Sequence, residues 1–61
     1  MTEFVSFPSV SAQERILEAA GATHGRMGDW WLDGRLVGYR EEIDRDEDRM
    51  YFDYFVRKDL T

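Results

Sequence analysis

From Gly28 to Asp59 apolar and polar positions alternate in three runs, separated by two short polar stretches. A period of two puts successive side chains on opposite faces of a strand. The pattern predicts strands over Asp29–Leu32, Arg35–Asp44 and Arg49–Arg57, folded as one antiparallel meander. Asp33-Gly34 is a strong signal for a two-residue type I′ turn, because both residues tolerate positive φ. That turn sets Leu32 opposite Arg35, Trp31 opposite Leu36 and Trp30 opposite Val37. A four-residue loop over Arg45–Asp48 sets Asp44 opposite Arg49 and Ile43 opposite Met50. It also pairs Glu41 with Phe52, Arg40 with Asp53, Tyr39 with Tyr54, Gly38 with Phe55 and Val37 with Val56. One face then gathers Trp30, Leu32, Val37, Tyr39, Ile43, Met50, Phe52, Tyr54 and Val56. A slip of one residue would scatter that set, which favours this register. Arg40 and Asp53 become a cross-strand ion pair.

The first half of the chain has a different period. Thr2–Phe7 is rich in β-formers and reads as a short edge strand ended by Pro8. Ser11, with Glu14 three residues on, is a capping box for a helix over Ala12–Ala20. Ala12, Ile16 and Ala20 line one side of this helix with Leu17 beside them, and Gln13, Glu14, Arg15 and Glu18 lie mostly outside. Gly21 is the expected left-handed stop. Ala22–Met27 reads as loop. A helix this short does not persist alone, so it docks on the sheet. The expected fold is a small α+β domain of order β-α-β-β-β, an antiparallel meander with one short helix packed on one face. It occupies residues 1–61 as a single domain.

One helix covers one face. The other face of the meander collects Trp31, Leu36, Gly38, Tyr51 and Phe55, ringed by Arg40, Glu42, Asp53 and Arg57. Aromatic groups in an apolar patch with an arginine rim are typical of binding hot spots. The competing expectation is that Phe4 and Phe7 fold across this face and bury it. Size sharpens the question. A chain of 61 residues without cysteine has no disulfide to add to a small core. Its stability must come from packing, from self-association or from a partner.

Charge narrows the partner. The net charge is −5 and the isoelectric point is near 4.6. Direct nucleic-acid binding and anionic membrane surfaces both require the opposite sign. Glu41, Glu42, Asp44, Asp46, Glu47 and Asp48 gather at one end of the sheet, diluted by Arg45 and Arg49. They are either a solvated turn that keeps the hairpin soluble or a dock for a basic protein, imitating the phosphates of a nucleic acid. Asp44, Asp46 and Asp48 open like a calcium loop, but Arg49 and Phe55 stand where such a loop needs glycine and glutamate. The single histidine, His24, sits in predicted loop without an orienting acid, and no nucleophile–base spacing accompanies it. No enzyme activity, cofactor or metal is expected.

The expectation is therefore a non-enzymatic protein–protein interaction module. Its partner-binding residues are Trp31, Leu36, Tyr51, Phe55, Glu42, Asp44, Asp46, Glu47 and Asp48. In its concrete form it is a small acidic inhibitor that occludes a basic, nucleic-acid-handling site on a larger protein. Phage-encoded antagonists of restriction or CRISPR complexes are built at this scale of size and charge. The alternative is a small homo-oligomer, a homodimer being the simplest, or an accessory subunit of a larger complex. With no long apolar run and no signal pattern, a cytoplasmic location is expected.

Overall fold

A computed structural model of the chain describes residues 2–46 and 49–61, with the backbone alone described for 44–46 and 49. The elements are β1 (Phe4–Phe7), α1 (Val10–Ala19), β2 (Thr23–His24), β3 (Trp30–Leu32), β4 (Arg35–Asp46) and β5 (Arg49–Arg57). Short 3₁₀ turns lie at Arg26–Gly28 and Lys58–Leu60. The five strands form one antiparallel sheet in the order β1-β5-β4-β3-β2, with α1 on one face. The α+β class, the meander and the docked helix match the expected fold. Two details of the first half do not. Ala22–Met27 is not plain loop, since β2 pairs its Thr23 and His24 with Trp31 and Trp30. His24 stacks on the Trp30 ring, centroids 4.4 Å apart.

The helix starts two residues earlier than the capping box suggests. Ser9, not Ser11, is the N-cap, and its side-chain oxygen accepts from the Ser11 amide. At the other end Gly21, with φ 81°, closes the helix as expected. Its amide donates to the Glu18 carbonyl and that of Ala22 to the Leu17 carbonyl, the two bonds of a Schellman stop. The stripe turned inward also differs from the expected one. Leu17 and Gln13 are the buried residues of α1, whereas Gln13 was expected outside. Gln13 is only 2% exposed. Its Nε2 donates to the backbone oxygens of Tyr39 at 2.9 Å and Phe55 at 3.0 Å, tying α1 to both central strands.

The first hairpin forms as expected, with φ 51° at Asp33 and 74° at Gly34. Leu32 faces Arg35 and Trp31 faces Leu36. Trp30, however, faces Gly38 and not Val37, because Val37 is an extra residue on β4. Such a bulge sets two residues of one strand against one of its neighbour. Val37 and Gly38 both turn to the helix side and are buried. From Gly38 to Glu42 each residue changes face relative to simple alternation.

The pairing of β4 with β5 shifts accordingly. Gly38 faces Val56, Tyr39 faces Phe55, Arg40 faces Tyr54, Glu41 faces Asp53 and Glu42 faces Phe52. The expected Tyr39–Tyr54 and Arg40–Asp53 pairs do not form. A second irregularity between Glu42 and Asp44 leaves Ile43 unpaired. The strands then continue through Arg45–Met50 and Asp46–Arg49. Arg45 and Asp46 are therefore strand residues rather than part of a four-residue loop, and Glu47 and Asp48 lie outside the described residues.

The core is small. Leu17, Trp30, Val37 and Val56 are its buried apolar members, with Phe7, Ile16, Ala22, Leu32 and Leu60 packed around them. Gly38 allows this approach. A Cβ built there would lie 2.5 Å from Leu17 Cδ1 and 3.2 Å from both Trp30 Cβ and the Phe55 oxygen. Of the expected core set, Ile43 and Met50 are exposed at 57% and 54%. Tyr39 sits on the face away from the helix.

Candidate interaction surface

Alternation along the strands separates two faces. Leu17 against Gly38 marks the helix side, so Tyr39 and Phe55, the neighbours of Gly38 and Val56, point to the other. There Tyr39 stacks on Phe55 with centroids 4.6 Å apart, and Phe4 meets Tyr39 edge-on at 5.1 Å. Both geometries suit the quadrupoles of aromatic rings. Trp31 and Leu36 form a cross-strand pair at one side of this group. Trp31 is 43% and Tyr51 42% exposed. The N-terminal strand does not fold across the face. It joins the sheet edge beside β5, where Phe7 enters the core and Phe4 extends the aromatic group sideways.

The expected rim is partly redistributed. Asp53 and Arg57 stay on the helix-free face in the same row as Phe55. Arg40 and Glu42 move to the helix side, because the bulge at Val37 changes their phase. The Arg40 guanidinium lies 4.8 Å over the Phe52 ring. Its stem passes so close to Gly28 that a Cβ there would lie 2.8 Å from Arg40 Cδ. The pair expected to be opposite charges is a like pair, Glu41 facing Asp53. That juxtaposition is unfavourable, and neither residue forms an ion pair with a described side chain.

A projecting arm is the second component. Pairing of β3 with β4 goes no further than Gly38, and pairing of β1 with β5 ends at Tyr54. Beyond those points β4 and β5 pair only with each other among the described residues. From Arg40 to Asp46 the arm runs about 20 Å at the usual strand rise. The molecule measures 38 × 22 × 19 Å. The arm carries the candidate acidic residues Glu42, Asp44 and Asp46 on β4, with Ile43, Met50 and Tyr51 exposed among them. Ile43 and Met50 were not among the expected contact residues. Their exposure follows from the bulge and from the arm leaving the sheet, and period-two reasoning carries neither signal.

The opposite end is a shallow cleft of about 670 Å³ lined by Thr2, Glu3, Arg35, Arg57, Lys58 and Asp59. Its charges are mostly satisfied within the chain. Arg57 donates to both Asp59 oxygens, at 2.5 and 2.9 Å, and Lys58 lies 3.2 Å from Glu3. The hydrogen bonds from Arg57 hold the Asp59 carboxyl below its ordinary value. Among the described residues no group of three or more His, Asp and Glu side chains is placed to hold a metal ion. Among the described residues no helix is long and apolar enough to cross a membrane. No protein-family model, curated protein or solved structure matches this chain.

Proposed function

We propose that this chain is a non-enzymatic protein–protein interaction module that engages a basic surface of a larger protein with its β4–β5 arm. The observation that carries this reading is the arm itself. Two strands run past both of their neighbours, and their exposed apolar residues Ile43 and Met50 stand in a stretch rich in carboxylates. Residues 41–53 contain seven carboxylates and two arginines. A two-stranded ribbon is marginal in water by itself. Apolar contact held inside a negative field suits a partner with a positive groove, such as a protein whose own ligand is DNA or RNA. In its finer form the module is an inhibitor that occludes that groove, as small phage antagonists of restriction or CRISPR complexes do.

The test is capture from a lysate of the source cell, with the wild type and the charge-reversed D46K/E47K chain as baits. The reading expects a basic partner held by the wild type and lost by the variant, and displaced by the partner's own nucleic acid. Association should slow with added salt more than dissociation speeds up. A partner held equally by both baits, or indifferent to nucleic acid, would remove the acidic arm from the account.

A further inference from the structure

We infer that the helix-free face is closed by a second copy of this chain, packed face to face across a two-fold axis over Phe55. The surface is larger than a compact monomer needs. It measures 4741 Å², against about 4100 Å² for a compact protein of 7.2 kDa. The radius of gyration, 11.7 Å, likewise exceeds the roughly 10.5 Å usual for this length. Part of the excess is the arm. The face away from the helix is open as well, and there Phe4, Tyr39 and Phe55 form one aromatic group with Trp31 and Leu36 beside it. A stable interface of standard size buries about 800 Å² per partner. That is roughly a sixth of this chain's 4741 Å², an area available on one face of a five-stranded sheet.

Charge complementarity selects the occupant and its orientation. Asp53, Phe55 and Arg57 stand in one row on β5, an anion, a ring and a cation about 7 Å apart along the strand. Rotating a second copy about an axis that crosses the strands over Phe55 sets Asp53 over Arg57 of the second copy, and the reverse. The surface is then self-complementary, as a two-fold interface requires. The other face-to-face arrangement, with strands parallel, would set Asp53 over Asp53 and Arg57 over Arg57, and repulsion excludes it. Packed sheets lie about 10 Å apart, a gap that arginine and aspartate side chains span. Arg57 need not release Asp59, because a guanidinium has five N–H donors and Asp59 takes two. A cation from the second copy would also relieve the like pair of Glu41 and Asp53. The two arms then point away from each other and stay free, so this inference stands or falls separately from the role of the arm.

Sedimentation equilibrium of the full chain from micromolar to millimolar concentration tests it. The wild type should pass from monomer to dimer. D53R and R57D should each weaken self-association by about tenfold or more, through like charges at two symmetry-related places. The double exchange D53R/R57D, which restores opposite charges across the axis, should recover most of the loss. Circular dichroism of each variant separates loss of the dimer from loss of the fold. A wild type that stays monomeric throughout would overturn the inference without any variant. So would a dimer indifferent to both single reversals, or a folded double exchange that does no better than either single one.

Discussion

At the scale of single residues, Gly38 and Gln13 decide how the helix meets the sheet. Gly38 is the one position where the helix comes too close for a side chain, since Leu17 occupies the space of the missing Cβ. Leu17 is fully buried, so it yields only by repacking, and the Phe55 carbonyl oxygen crowds the same place. We expect Gly38→Ala to cost about 1–3 kcal/mol, the usual penalty of overfilling a core. The cost should be smaller in a Leu17→Val background, because the two substitutions act on one space. Urea titration of the four chains checks this. An alanine variant as stable as the wild type would show that α1 does not sit over Gly38. Gln13 plays the polar counterpart. Its amide serves two strand carbonyls in a dry place, and a buried acceptor left without a donor costs about 1–3 kcal/mol. Nothing in the helical period marks a glutamine as buried. It lies one turn before Leu17 on the same face of α1, and the two strand carbonyls it meets give its amide a buried partner.

At the scale of elements, the chain is legible wherever local rules suffice. Asp33-Gly34 specifies its turn, Gly21 its helix stop, and the alternation of Phe52, Tyr54 and Val56 gives β5 its correct phase. The bulge at Val37 lies outside such rules. It satisfies the core by burying two consecutive residues, and no residue type announces it. Tyr39 consequently changes from expected core to open surface, and Arg40 from that surface to a place over Phe52. The irregularity after Glu42, within the arm, ends that shifted stretch. Trp31, Leu36, Tyr51 and Phe55 were identifiable as a surface set because they lie before the bulge or on β5. Ile43 and Met50 were not, since a hydrophobic strand residue is assigned to a core by default. Their exposure gives a direct expectation. I43T/M50T should change the unfolding free energy by no more than about 0.5 kcal/mol, as for ordinary surface positions. The same pair should speed dissociation from the captured partner. Thermal or urea unfolding and dissociation rates measured on one preparation check both halves. A large loss of stability would place these side chains in a core, as simple alternation has it.

At the scale of the whole molecule, four buried apolar side chains form the core among the described residues. Two surfaces are left over, an aromatic sheet face and an acidic arm with apolar contacts. A net charge of −5 disfavours indiscriminate association of chains with both open. The cleft at the other end holds three cations, but Arg57 and Lys58 are already paired within the chain. On the proposals above, recognition falls to the arm and self-association to the face. The arm, as proposed above, is the part that meets a partner. Backbone amide shifts of the labelled chain, recorded as the captured partner is added, test it most directly. The account predicts changes concentrated over residues 41–53, with the amides of Leu17, Val37 and Val56 unmoved. Changes centred instead on Arg35, Arg57 and Lys58, with the arm unmoved, would contradict it.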